Sequence, residues 1–482
     1  MVRPQSTSPK TPQVSAIVRP WSARKLATAA LQTIERTRSF SDDVFDHMTK
    51  DLEVSDRDRN LAFELVYGVM RHYGTLDWRL DQVSRKPMVR LPLTVATTLR
   101  VAAYQLLYLD RIPASAAVNE AVELIRKQPG HNWSGFVNAV LRNLLRQPVP
   151  LMPDPALDAT TALSIRYACP TWLVERWLRF FGFNQAERLC QQTIGIPPLT
   201  IRTNTLRCSR STLLDRLNTE GIPAQETAVS PVGLTLNKCG SPGQLSALKD
   251  GWCYVEDEAP QLIPLLLDPQ PGDRVLDACA APGGKSTHRA QLMKDQGEIV
   301  ALDRHHERLK RLVSNCGRLG ISIVQPCHFD LIEYSGAGQA ISFSAAHRAV
   351  PALLTQSFDR ILVDAPCSAL GILRRHPEGK LLKALSNIQH AQALQRRMLD
   401  RVSALLRPGG ILVYSACSIE PEETTEMLSG FCQEHPEFLH EPVIPWVPAP
   451  GQTLITDQGH LCTAFQTFNM DAFFACRLKK SL

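Results

Sequence analysis

No apolar run in the sequence approaches the roughly 18 residues that a membrane-spanning helix requires, so a membrane protein is not expected. The first twenty residues, MVRPQSTSPKTPQVSAIVRP, have no apolar core for a secretory signal. They are rich in Ser and Pro and contain no acid before Glu35, a pattern shared with organellar transit peptides. A disordered leader over residues 1–19 is the simpler expectation. Thirteen cysteines are present, yet no two form a C-x-x-C pair. That argues against a zinc ribbon or a thioredoxin-like motif, and no metal is expected. A reducing, cytoplasmic setting with mostly plain core thiols is expected instead.

What remains is a 482-residue chain, 44% hydrophobic and 21% charged, long enough for two to four domains. Its charge is uneven. Residues 1–150 hold 21 Lys+Arg against 14 Asp+Glu, a net of +7, so the whole excess of +6 lies in the N-terminal third. A basic region beside a neutral one suggests a polyanion partner, most simply nucleic acid.

Residues 20–150 read as helices throughout. Ser22 is a candidate N-cap, and Ser55 with Asp58 forms a capping-box pattern opening a helix that should end at Gly74. This predicts an all-α bundle, closed by a linker at Pro148, Pro150, Pro153 and Pro155. Residues 160–255 mix helical segments with strand-like runs such as PLTIRTNTL, VGLTLNK and GWCYVED, and read as a small α+β module. From residue 256 to 482, strands and helices alternate. That predicts a largely parallel, doubly wound, Rossmann-like α/β domain with ligands at the carboxyl ends of its strands. Residues 331–356 exceed a usual strand-to-strand link and read as an insertion or mobile lobe.

One such strand end carries VLDACAAPGGKSTH, Val275 to His288. A glycine loop opening a helix offers backbone N–H groups and the helix's positive end to a ligand. Two ligands compete. A phosphate loop would need glycine five residues before Gly284, where Cys279 stands. A nucleoside cofactor needs an acid about 20 residues on for the ribose hydroxyls, and Asp303 lies 19 past Gly284. Asp330 ends the next strand, where it could hold an adenine edge. The loop is not G-x-G-x-x-G, which weakens a dinucleotide. S-adenosylmethionine fits better, with Asp277 available to its cationic end.

Two further strand-like runs, ILVDAPCSAL and ILVYSACSIE, each stop at a Cys-Ser pair, at Cys367 and Cys417. A disulfide, a metal site with His376, coincidence and paired chemistry are all conceivable. Beside a methyl donor, one use stands out. C5 of a pyrimidine is unreactive until a thiolate adds at C6 and makes C5 an enamine carbon. Asp364, three residues before Cys367, could hold the base edge. A second thiol could assist proton removal and release, and the pattern does not say which thiol is which.

The blocks DACAAPGGKSTH, VALDRHHERL, ILVDAPCSALGILRRHPEGK and LVYSACSIEPEE, in this order, resemble RNA (cytosine-C5) methyltransferases of the RsmB (Fmu/Sun) type, within the NOL1/NOP2/Sun family. The segments IPASAAVNEAVELIRK and GFVNAVLRNLLR look like the NusB-like domain that precedes the catalytic part in that type. The resemblance covers about Trp21 to Lys480. It implies Cys417 as nucleophile, Cys367 as an aid to product release, and cofactor contacts at Cys279, Ala280, Ala281, Pro282, Gly283, Gly284, Lys285, Asp303, Asp330 and Asp364. It also implies one cytosine of 16S rRNA as target. Glu256 stands where the family usually has Gln, and PEETTE lacks the usual Asn. Arg374, Arg375 and His376 form a basic cluster that could hold RNA phosphates. A monomer is expected. The competing expectations are a P-loop-like ATPase and a non-catalytic RNA-binding assembly factor.

Overall fold

The computed structural model describes residues 21–50, 52–128, 132–237, 242–332, 357–464 and 468–482. The expected leader lies outside the described residues, as does the expected insertion from residue 333 onward. Contacts divide the chain into two compact units, up to Leu151 and from Met152.

The first unit is helical: α1 (Ala23–Thr37), α2 (Ser41–Lys50), α3 (Asp56–Arg71), α4 (Tyr73–Asp81), α5 (Leu93–Tyr108), α6 (Ala114–Arg126) and α7 (Ser134–Arg146). Ser22 caps α1 by accepting from the Lys25 N–H. Ser55 Oγ accepts from the Asp58 N–H at 3.1 Å and donates to its carboxylate at 2.7 Å, which caps α3, while the other Asp58 oxygen accepts from the Ala23 N–H at 3.3 Å, so only the serine half of the expected capping box forms. The end at Gly74 is not observed. The chain kinks at His72, and Gly74 lies in the first turn of α4. α5 is buried from Val95 through Gln105 on all sides and forms the centre of the bundle.

The second unit opens with α8 (Ala159–Tyr167) and α9 (Thr171–Ile194). Sequence periodicity predicts two helices where α9 lies. The structure agrees: α9 is two helical segments that meet at a kink at Gly182, whose φ of 71° and ψ of 173° are not helical. A four-stranded antiparallel sheet follows, in the order β2-β3-β1-β4: β1 (Leu199–Thr203), β2 (Ala224–Glu226), β3 (Gly233–Leu236) and β4 (Cys253–Val255), with α10 (Arg210–Thr219) packed on it. Then comes α11 (Glu258–Leu267), a helix with Pro264 inside it, in a stretch to which the sequence patterns assign no element. Its buried Leu262, Ile263, Leu266 and Leu267 offset the hydrogen bond that Pro264 removes.

The main sheet is built from β5 (Arg274–Asp277), β6 (Glu298–Asp303), β7 (Val324–His328), β8 (Phe358–Asp364), β9 (Leu406–Ala416), β10 (Phe438–Glu441), β11 (Leu461–Cys462) and β12 (Phe474–Lys480). Its order is β10-β12-β9-β8-β5-β6-β7, with β11 beside β12. Strands β5 to β9 pair parallel, whereas β12 runs antiparallel to β9, which makes the sheet mixed. The helices α12 (Gly284–Leu292), α13 (His306–Leu319), α14 (Leu385–Ser403) and α15 (Thr425–Glu434) cover it. Successive strand residues point to opposite faces. Val275, Ile299, Leu362 and Val413 pack with α11 to α13, while Leu276, Val300, Ile361 and Leu412 pack with α14 and α15. Burial on both faces explains the unbroken apolar runs. No helix among the described residues is long and apolar enough to cross a membrane.

Candidate active site

Chain order reverses at β5, with β6 and β7 to one side of it and β8 and β9 to the other. The loops leaving β5 and β8 therefore part at a crevice. The Ala278 N–H bonds the Leu362 carbonyl at 3.0 Å and the Ala280 N–H bonds that of Leu302 at 2.8 Å, tying the glycine loop to both neighbouring strands. Gly283 has φ of 109°, which side chains rarely adopt. Gly283→Ala is expected to cost on the order of 1–3 kcal/mol, read by urea unfolding.

Asp303 is buried, accepts from the Ala281 N–H at 3.2 Å and the His305 N–H at 2.8 Å, and so joins β6 to the glycine loop. Asp330 lies two residues beyond β7, where its carboxylate accepts from the Ile332 N–H at 2.9 Å. The adjacent Phe329 N–H bonds the Asp303 carbonyl. Asp277 is held through Oδ2, while its buried Oδ1 has no hydrogen-bond partner among the described residues. It is buried against Ser286 and Arg289 and fixes α12 to β5. Burial, then the carboxylates of Asp277, Asp364 and Asp303, push the Cys279 thiol well up. Acids converging on the loop's centre suit a cationic ligand and oppose a polyphosphate.

Lys285 Nζ donates to Asp364 Oδ2 at 2.6 Å. Burial works to lower the pKa of this lysine, but Asp364, then Glu256 and Cys417, raise it overall, so it keeps its proton. A lysine committed to a carboxylate is not the free cation a phosphate loop uses. Asp364 Oδ1 accepts from the Ser415 hydroxyl at 2.8 Å, across the β8–β9 ladder.

Just past these paired strands, the Cys367 and Cys417 sulfurs lie 3.1 Å apart. Both are half-buried free thiols. Cys417's sulfur, hydrogen-bonded to it, together with burial and Glu423 pushes the Cys367 thiol well up. The two loops close on each other because Gly371 lacks a side chain. Its N–H reaches the Cys417 carbonyl at 3.0 Å, and a Cβ there would stand 2.1 Å from the Ala472 carbonyl.

Several supporting residues escaped the sequence reading. Arg202, fully buried on β1, donates to Glu256 Oε2 and the Gly284 carbonyl, each at 2.5 Å, and to Thr287 Oγ1 at 2.8 Å. The small antiparallel sheet thus braces the start of α12, and Glu256 supplies a charge that Gln would not. On α9, Trp177 Nε1 donates to Glu420 at 2.9 Å and Arg176 pairs with Glu420 and Glu422, anchoring the turn after Cys417. Glu423 accepts from both Ser368 and Ser418. In the sequence it ends the block LVYSACSIEPEE, with no sign of a link to the Cys367 loop beyond the serine that follows each cysteine.

The basic cluster is a correction. Arg374 bonds Asp471 at 2.6 Å and Asp257 at 3.3 Å, with its side chain 9% exposed. Arg375 bonds the same two carboxylates, and His376 Nδ1 lies 3.5 Å from Glu378. These arginines neutralise two buried acids and are not a surface offered to phosphates. Burial, then Asp471, raises the Asp257 pKa, and Arg375 and Arg374 counteract this.

A doubly wound domain with an acid-lined glycine loop and paired thiols at its switch point defines a methyltransferase-type catalytic unit. Residues 264–479 match the family described as 16S rRNA methyltransferase RsmB/F. Residues 22–146 match the NusB family, and residues 169–241 match the ferredoxin-like domain of RsmF/B-like methyltransferases. The chain is 34% identical over 462 residues to the probable ribosomal RNA small subunit methyltransferase B of Bacillus subtilis, covering 95% of this chain and 99% of that protein. It is also 34% identical over 409 residues to ribosomal RNA small subunit methyltransferase B of Escherichia coli, covering 84% and 89%. The crystal structure of PH0851 is 26% identical with a TM-score of 0.77, covering 95% of this chain and 98% of its own. The chain belongs to the RsmB/F family of 16S rRNA methyltransferases.

Proposed function

We propose that the chain transfers a methyl group from S-adenosylmethionine to C5 of one cytosine in 16S rRNA, through a covalent bond between Cys417 and C6. The observation that carries this reading is the pair of free thiols 3.1 Å apart, one strand away from an acid-lined glycine loop. Residues 20–150 and 160–255 serve as RNA-binding modules and 256–482 as the catalytic domain.

S-adenosylmethionine, held by Cys279 to Lys285, Asp303 and Asp330, supplies an electrophilic methyl on a sulfonium. The target base is unstacked into the crevice. The Cys417 sulfur bonds to C6, and the displaced electron pair makes C5 nucleophilic. Asp364, steadied by Lys285 and Ser415, holds the cytosine edge. After C5 has gained its methyl, a base takes the C5 proton, the C5–C6 double bond re-forms and the sulfur leaves with its electron pair. Cys367, held as a thiol, gives that sulfur a proton and regains one from water.

The ATPase reading has no support, because Lys285 is committed to Asp364. Bisulfite sequencing of 16S rRNA from cells with and without the gene tests the proposal. One cytosine should lose its protection when the gene is deleted, and identical conversion patterns would refute it. Asp364→Asn should lower kcat roughly 10²–10³-fold, the scale of one lost preorganised contact, while S-adenosylmethionine affinity in calorimetry changes little.

A further inference from the structure

Each cysteine is followed by a serine, and both serines reach one buried carboxylate. Glu423 is 0% exposed. Its Oε1 accepts from the Ser368 N–H at 2.7 Å and from Gln395 Nε2 at 3.3 Å. Its Oε2 accepts from the Ser368 hydroxyl at 2.5 Å and from the Ser418 hydroxyl. Four donors fill the acceptor sites of one carboxylate. The serine hydroxyls are themselves 3.3 Å apart. The clamp is braced from both sides: Gln395 of α14 also donates to the Pro366 carbonyl at 3.0 Å, and the Tyr414 hydroxyl donates to the Glu423 carbonyl at 2.7 Å.

We propose that Glu423 is the positioning residue of the site: through Ser368 and Ser418 it sets the spacing of the two sulfurs and their division of labour. The spacing follows from geometry. Cys367 and Cys417 sit on separate loops, and the carboxylate ties those loops together one residue past each thiol. The division of labour follows from where the charge lies. The titratable groups facing Cys367 are Cys417, Tyr414 and Glu423, and Glu423 favours the protonated thiol there. Lys285 instead stands near Cys417. One thiol is thus kept as a proton donor beside the one that attacks.

This inference rests on the paired-thiol reading above, so its test has an arm that needs no RNA. Glu423→Gln keeps the shape, since the serine hydroxyls can turn to accept from an amide, but it removes the charge. In the full-length protein without RNA, iodoacetamide labelling of Cys367, followed by peptide mass spectrometry across pH, should begin at lower pH in Glu423→Gln. Ser418→Ala removes one arm of the clamp and keeps the charge. Its kcat on a 16S rRNA fragment should fall roughly 10- to 100-fold, the cost of about 1 Å of misplacement, with KM for S-adenosylmethionine unchanged. A labelling profile unmoved in folded Glu423→Gln overturns the charge assignment, and an unchanged kcat in folded Ser418→Ala overturns the clamp. If the wild-type protein modifies no cytosine, the functional reading fails, and the labelling arm still decides Glu423.

Discussion

Cys417→Ala should reduce methylation of 16S rRNA to background, because loss of a covalent nucleophile is worth on the order of 10⁶ in turnover. The folded state should hardly notice, since the thiol is half-buried and ends a strand whose other pairings persist. Cys367→Ser should behave in the opposite way. The attacking sulfur remains, so the bond to C6 forms, but the neighbouring proton donor is weaker and release stalls. A protein–RNA adduct that survives SDS should accumulate with this variant and be absent with Cys417→Ala. Adduct with Cys417→Ala would reverse the two roles.

Arg374→Ala should be the most damaging change to stability. It leaves Asp257 and Asp471, whose side chains are 4% and 3% exposed, with Arg375 alone. Removing one partner from a buried ionic network costs about 3–5 kcal/mol. Urea unfolding should report that loss. If Arg374 held RNA phosphates instead, the variant would unfold like the parent and bind RNA more weakly across all sequences.

The same arginine marks a limit of reading by sequence. Arg374, Arg375 and His376 look like a surface cluster because the acids that neutralise them are far away in the chain: Asp257 is 117 residues from Arg374 and Asp471 is 97. Glu423 was missed for a related reason. It ends the block LVYSACSIEPEE, whose residues do not reveal its partners, and only folding turns it under both cysteine loops. The Arg289 guanidinium that pairs with Asp277 through Oδ2 was not foreseen either. What could be read was local. Period-two and continuous apolar runs marked β5, β6, β8 and β9, and the glycine loop and both cysteines fell at strand ends where the doubly wound topology gathers them. The antiparallel course of β12 could not be read, because strand direction depends on which edge remains open once the parallel strands have paired. Helix α11, with Pro264 inside it, was not read at all, because its burial and not its propensity holds it.

The position of β12 also orders events during translation. It pairs with β9 from Phe474 opposite Ala416 to Lys479 opposite Ile411, more than fifty residues after the strand it completes. Until that stretch leaves the ribosome, the strand leading to Cys417 has an open edge. A nascent chain can therefore form its helical bundle and glycine loop long before the attacking sulfur is fixed in place.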